Sequence, residues 1–248
     1  MTGSLLITER QTPDAGARHR RARTAGLLYA VVVVAGTFSL GYMPGRILGG
    51  DDIPAILARI QAQEVLFRWA IVAALACYTA FLVLPLALYR LLAPAGRDAA
   101  ILMIAFAAAS VPLACANAQH LYALLHLAGL YLAGGNGAAA QAGQELRAYD
   151  DGLLILQVFW GLWLLPFGYL ASRASFLPAL LGLVLIAAGL GYVADWVGQT
   201  AAPTIYAASG LGAWLLAPRT GEILICLWLL LAGARPLPRL RRSCLRRS

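Results

Sequence analysis

Six long apolar runs constrain this chain more than any other feature of its sequence. They cover approximately residues 25–42, 65–92, 99–132, 153–171, 177–197 and 205–232. An α-helix rises 1.5 Å per residue, so about 20 apolar residues are enough to cross the roughly 30 Å hydrocarbon core of a bilayer. The pattern predicts an all-α membrane protein, with a bundle of six transmembrane helices forming one domain over residues 25–232.

The composition excludes an ordinary water-soluble domain of this length. Hydrophobic residues make up 61% of the 248 residues and charged residues only 12%. A soluble domain carries about 25% charged residues. One core cannot bury so much apolar surface, so the rest must face lipid, and we expect the bilayer to be the principal partner.

The distribution of arginines predicts the orientation of the bundle. All 19 basic residues are arginines, and of the 17 other than Arg68 and Arg219, 14 fall on the side that carries both tails, residues 1–24 and 233–248. Because basic loops stay in the cytoplasm, both termini are predicted to be cytoplasmic in the cell membrane. We expect the arginine-rich tails to contact anionic lipid headgroups. No aromatic residues alternate with these arginines, so we expect no nucleic-acid partner.

Two of the runs are predicted to be interrupted. The third is too long for one straight crossing and contains Pro112, and the sixth contains Pro218. A proline inside a helix removes one backbone hydrogen bond and clashes with the preceding turn, so kinks are expected near both residues.

Two segments on the outer side are predicted to form a short helix and a loop. In "DDIPAILARIQAQE", isoleucines and a leucine repeat at helical spacing behind two aspartates and Pro54, which predicts a short amphipathic helix lying on the outer surface. "AGGNGAAAQAGQELRAYDDG" is rich in glycine and alanine. It is predicted to be a loop ending in a single helical turn.

A few polar side chains inside the apolar runs are the candidates for function. An ionised side chain within a span costs about 2.5–3.5 kcal/mol on insertion scales, so such residues face the bundle interior. Arg219 and Glu222 are three residues apart and can pair on one helix face. Arg68 and Asp195 lie at similar outer depths, so a second pair is geometrically possible. The predicted ligand-binding residues are Arg68, Asn117, His120, Asp195, Arg219 and Glu222.

Signatures of enzymes and metal sites are absent from the sequence. There is no HExxH motif, no GxSxG motif and no P-loop. His120 and His126 are six residues apart, so they point about 120° away from each other on a helix and cannot share a metal. We expect no metal ion and no cofactor.

Four phrases occur in a characteristic order and spacing: "RTAGLLYAVVVVAGTF", "GGDDIPAILARIQAQEVLFRWA", "SFLPALLGLVLIAAGLGYVADW" and "PRTGEILICLWLLLAG". Together they resemble a bacterial membrane family, domain of unknown function 4386 (DUF4386). The resemblance extends from about Arg23 to Gly233. It implies a multi-pass membrane protein without an established activity. It also implies that Glu64, Arg68, Asp195 and Glu222 are recurring polar positions, with no role attached.

These features favour a non-enzymatic bundle that binds or passes a small amphiphile or solute. The predicted site is a polar pocket in the outer half of the bundle, near Arg68, His120 and Asp195, because burying so many polar groups is costly. Two alternatives remain open. One is a structural or regulatory membrane subunit whose polar residues hold helices together. The other is an intramembrane enzyme that uses His120 with Asp195 or Glu222 as acid and base.

Overall fold

The computed structural model describes residues 15–216 and 220–234, and every regular element in these two ranges is a helix. Most of both basic tails, and Pro218 and Arg219, lie outside the described residues. Six helical stretches are long and apolar enough to cross a membrane, which confirms the predicted all-α architecture. They are Gly16–Leu48, Glu64–Ala95, Arg97–Leu132, Ala138–Arg173, Ala179–Ala201 and Leu211–Leu231, the last of which includes residues 217–219.

The described residues form ten α-helices and shorter segments of other helical types. The α-helices are α1 (Ala15–Gly36), α2 (Ile53–Ala62), α3 (Glu64–Leu92), α4 (Arg97–Asn117), α5 (Gln119–Leu132), α6 (Ala138–Arg173), α7 (Ala179–Ala201), α8 (Pro203–Ser209), α9 (Leu211–Leu216) and α10 (Thr220–Leu231). Two π-helical segments, Thr37–Tyr42 and Pro44–Leu48, extend α1. A 3₁₀ turn, Ala93–Ala95, follows α3.

The amphipathic helix forms where it was predicted, as α2, but its apolar face does not lie on the outer surface. Asp52 caps the helix by accepting a hydrogen bond from the Ala55 backbone N–H at 3.5 Å. Ile56, Leu57 and Ile60 are fully buried in a cluster with residues of α5 and α6. Protein rather than lipid therefore covers this stripe, because the ends of α5 and α6 extend alongside it.

The prediction of a loop before the fourth span is wrong, because α6 begins at Ala138 and continues without a break to Arg173. Its first turns are rich in alanine, glutamine, glutamate and arginine, which have high helix propensity. Gly137, with a φ of 82°, forms the turn that precedes the helix. At 36 residues, α6 is about 54 Å long and exceeds the thickness of the hydrocarbon core.

The break in the third span does not lie at Pro112, and the kink predicted near Pro218 lies outside the described residues. In the third, α-helical structure continues past Pro112, and the break lies at Ala118, between α4 and α5. In the sixth, the span begins at Leu211 rather than at Ile205. Gly210 has a φ of 65°, a left-handed conformation that ends α8 and separates it from α9.

Paired glycines allow α6 and α7 to pack very closely in antiparallel orientation. A Cβ atom on Gly161 would lie 2.7 Å from the carbonyl oxygen of Gly189, and one on Gly168 would lie 2.5 Å from that of Gly182. Both pairs are seven residues apart on their helices, so they lie on one continuous seam. Small residues that bring two backbones together are a common basis of helix association in membranes.

Candidate functional site

A cavity of about 380 Å³ lies within the bundle, between α1 with its π-helical extension, α3, α6, α7 and α10. It is situated near the middle of the spans, since Tyr78 and Phe81 lie halfway along Glu64–Ala95. Its size is within the range of small-molecule sites, about 300–1,000 Å³. Six aromatic residues line it: Tyr29, Tyr78, Phe81, Trp160, Trp163 and Tyr192.

The aromatic rings of the cavity wall pack against one another and against Phe167. The rings of Phe81 and Trp163 pack edge to face at a centroid distance of 4.9 Å, and Trp163 stacks on Phe167 at 5.2 Å. The Tyr29 ring packs edge-on against Trp163 at 6.2 Å. Such arrangements are favoured by the aromatic quadrupole and fix ring orientations. The wall therefore offers preformed flat apolar surfaces to an occupant.

One polar pair lies on this aromatic wall. The Tyr29 hydroxyl donates a hydrogen bond of 3.0 Å to Oε2 of Glu222. Tyr29 is fully buried, and Glu222 lies in α10. The cavity thus combines a large apolar surface with a hydroxyl and a carboxylate at one point.

The π-helical segment Thr37–Tyr42 contributes Thr37, Leu40 and Gly41 to the cavity wall. A π-helix carries an extra residue per turn, and such segments frequently occur at functional sites. Gly41 has no atoms within 4 Å of the place where a Cβ atom would stand. The wall is therefore open at Gly41.

A second polar cluster surrounds Asp195, which is only 2% exposed. Its carboxylate accepts hydrogen bonds from Gln199 Nε2 at 2.6 Å, from Gln157 Nε2 and from the Tyr206 hydroxyl. Gln157 also donates to the Tyr192 backbone carbonyl at 3.1 Å. Three donors satisfy the buried charge, and they connect α6, α7 and α8 to one another.

Tyr206 lies between the fifth and sixth spans and remains protonated over the physiological range. Loss of water around its side chain, together with its hydrogen bond to Asp195, raises the pKa of Tyr206 to about 12. The hydroxyl therefore acts as a stable donor to the carboxylate.

Arg68 does not pair with Asp195. It forms an ion pair with Glu64, one turn earlier on α3, with 2.7 Å between Arg68 Nη2 and Glu64 Oε1. The Arg68 side chain is 59% exposed, so this face of α3 is turned away from the bundle interior. Sequence depth alone suggested the pair with Asp195, but the two side chains lie on helix faces that do not meet.

Asn117 and His120 tie α4 and α5 to the extended part of α6. Asn117 Nδ2 donates to the Tyr149 carbonyl at 3.0 Å, and His120 Nδ1 lies 2.7 Å from Glu145 Oε2. His120 thus has a carboxylate partner other than Asp195 and Glu222. Among the predicted site residues that the structure describes, Glu222 is the one that lines the cavity.

Two further predictions concern the Arg219–Glu222 pair and a metal site. Arg219 lies outside them, so the predicted pair with Glu222 is not described. Within residues 15–216 and 220–234, no group of three or more histidine, cysteine, aspartate or glutamate side chains is placed to hold a metal ion.

Sequence reasoning missed the aromatic residues of the cavity. One local signal was present, because Trp160 and Trp163 are three residues apart and so share a face of α6. Tyr29 carried no such signal, since its neighbours in "LLYAVV" are all apolar. Its role depends on Glu222, which is 193 residues away in the chain.

Six long apolar helices packed around a partly polar interior define this chain as a multi-pass membrane protein. The sequence pattern of the family described as Domain of unknown function (DUF4386) matches residues 24–233. The match covers most of the chain, so this protein belongs to the DUF4386 family. Comparison with curated proteins and with solved structures gave no match.

Proposed function

We propose that the protein binds a small amphiphile in the aromatic cavity, without catalysing a reaction. The observation that carries this proposal is the presence of the Tyr29–Glu222 hydrogen bond on the wall of a cavity otherwise formed by aromatic and aliphatic side chains. The apolar part of the occupant would lie against Phe81, Trp160 and Trp163. Its polar group would bind at Glu222 and Tyr29.

The cavity supports this proposal better than the outer polar residues do. Arg68, Asn117 and His120 each use their polar atoms in a hydrogen bond or ion pair within the protein. Burying an aromatic group of a ligand in a preformed apolar pocket gives favourable binding without reorganisation of the protein. We therefore place the proposed site near the middle of the spans rather than at their outer ends.

The enzyme alternative required His120 to act with Asp195 or Glu222. His120 is instead paired with Glu145, and it does not border the cavity that Glu222 lines. An acid and base pair must both lie within hydrogen-bonding reach of the reacting group. No observation in the described residues favours this alternative.

The test is identification of the ligand by mass spectrometry after purification in native-lipid particles. A Gly41→Phe variant should fill the open part of the cavity wall and abolish enrichment of the ligand. Gly45→Phe is the matched control, because Gly45 also has open space at its Cβ position but does not line the cavity. Equal ligand content in both variants, or no enriched ligand in the parent protein, would favour a structural or regulatory subunit.

We also propose that both ends of the bundle are cytoplasmic, with residues 1–24 and 233–248 as basic tails against anionic headgroups. Six crossings place the two ends on one side, and the arginine distribution supports the cytoplasmic side. A tag fused after Ser248 should be inaccessible to protease in intact cells and accessible after permeabilisation. Digestion of the tag in intact cells would contradict this orientation.

A further inference from the structure

A second cavity, of about 300 Å³, lies at the other end of the α1–α3 pair from the π-helical segment. It is lined by Ala17, Arg20, Arg21 and Thr24 of α1 and by Ala87 and Arg90 of α3. The two helices are antiparallel and pack along their lengths, so the start of α1 lies beside the end of α3. Three guanidinium groups from two helices therefore surround one cavity.

These three arginines have no carboxylate partner among the described residues, where the ion pairs are Arg68–Glu64 and His120–Glu145. Like charges gathered around one cavity repel each other unless an anion lies between them. The guanidinium group is planar and presents paired N–H donors that match two oxygens of a phosphate group. The chemistry of the cavity thus favours a phosphate ester.

Exposed apolar residues lie next to this cavity on both helices, in the direction of the middle of the spans. On α1, the residues after Thr24 at alternating spacings of three and four are Leu27, Val31 and Val34, which are 62%, 45% and 69% exposed. On α3, Leu86 and Val83 precede Arg90 at similar spacing and are also exposed. Residues at these spacings share one helix face. The result is a basic cavity followed by two apolar stripes.

We propose that this surface is a binding site for an anionic glycerophospholipid. Its phosphate group binds between Arg20, Arg21 and Arg90, and its acyl chains lie along Leu27, Val31 and Val83. Basic cavities between membrane helices are suited to anionic headgroups. The site is separate from the aromatic cavity and does not depend on the function proposed for it. It also differs from general attraction of the basic tails, because its arginines belong to two packed helices.

The apolar stripes favour a lipid over a free phosphate compound. A soluble phosphate would use only the three guanidinium groups. A phospholipid would use both the guanidinium groups and the exposed side chains beside them. Substitutions in the two parts of the site therefore distinguish the two sources of the same phosphate chemistry.

The test is native mass spectrometry of the full chain titrated with phosphatidylglycerol, with phosphatidylcholine as the comparison lipid. The triple variant R20Q/R21Q/R90Q should lose about 100-fold in affinity for phosphatidylglycerol, at about fivefold per arginine near the membrane surface. Arg97→Gln is the matched control, since Arg97 is an exposed arginine at the start of α4 and does not line the cavity. Because Arg97 lies outside the cavity, Arg97→Gln should lose less affinity than Arg90→Gln does. Equal losses in the triple variant and in Arg97→Gln would overturn the site.

The second arm separates lipid from free phosphate. A Leu27→Asn/Val83→Asn variant should weaken phosphatidylglycerol binding, and an excess of inorganic phosphate should not displace the lipid. Displacement by inorganic phosphate, with no effect of Leu27→Asn/Val83→Asn, would overturn the lipid assignment. The triple variant changes the charge of the protein by three units, so the single variant Arg90→Gln is measured beside it. Arg90→Gln should lose about fivefold in affinity for phosphatidylglycerol. An unchanged affinity in Arg90→Gln would contradict the proposal even if the triple variant did not fold.

Discussion

Two carboxylates inside this bundle have different surroundings. Asp195 is enclosed by Gln157, Gln199 and Tyr206, which together satisfy its charge. Glu222 accepts a hydrogen bond from Tyr29 and also borders a cavity large enough for a small molecule. The Asp195 cluster connects helices, whereas the Glu222 carboxylate borders a cavity of the size of a small-molecule site. Burial of a charge within a membrane therefore does not by itself indicate a binding site.

The same contrast appears in how the helices pack. The α6–α7 seam brings backbones together through Gly161, Gly168, Gly182 and Gly189, and leaves no space between them. The π-helical extension of α1 instead lines open space at Gly41. Trp160 and Trp163 of α6 and the π-helical segment all line the same cavity.

The largest expected effect comes from breaking the seam. Gly168→Leu would force a side chain into the Gly182 backbone, where neither helix can yield, and should lower the free energy of unfolding by about 3 kcal/mol or more. Thermal unfolding in detergent measures this effect. Gly129→Leu is the control, because a Cβ atom at Gly129 meets no atoms within 4 Å. Equal melting temperatures for the two variants would refute the seam.

Removal of the sealed carboxylate should have the next largest effect. Asp195→Ala leaves the donors of Gln157, Gln199 and Tyr206 without the buried acceptor that they share, and it should destabilise the protein by about 1–3 kcal/mol. The folded fraction of Asp195→Ala should contain as much ligand as the parent protein, measured by mass spectrometry. A loss of ligand without a loss of stability would assign Asp195 to binding instead.

Glu222→Gln should show the reverse pattern. It removes the charge at the cavity wall but retains an acceptor for Tyr29, so the free energy of unfolding should fall by about 1 kcal/mol or less. Ligand affinity should fall about tenfold, since a charge-assisted hydrogen bond becomes a neutral one. Tyr29→Phe is the companion variant and should weaken binding less. Unaltered affinity in Glu222→Gln would exclude the carboxylate from the site.

The smallest effect is expected at Arg68. Its ion pair with Glu64 is exposed and spans one helical turn, so Arg68→Gln should change the free energy of unfolding by about 0.5 kcal/mol or less. Ligand affinity should not change. A destabilisation as large as that of Asp195→Ala would show that Arg68 contacts the interior.

Some parts of this architecture were predictable because they depend on local sequence. The amphipathic α2 followed from the spacing of Ile56, Leu57 and Ile60, but what covers it did not. The missed helical start of α6 was also a local error, since its alanine-rich sequence favours a helix. The partners of Arg68, His120 and Asp195 were not predictable, because depth along a helix does not reveal which face meets a neighbour.

The sequence by itself determined the class of protein, the number of long apolar helices and the family. These properties depend on the length and hydrophobicity of continuous segments, which can be read from consecutive residues. Only the tertiary structure decided that Tyr29 meets Glu222 and that Asp195 is sealed by two glutamines and a tyrosine. Such contacts depend on which helices are neighbours and how each is rotated, and glycines distant in the chain control both.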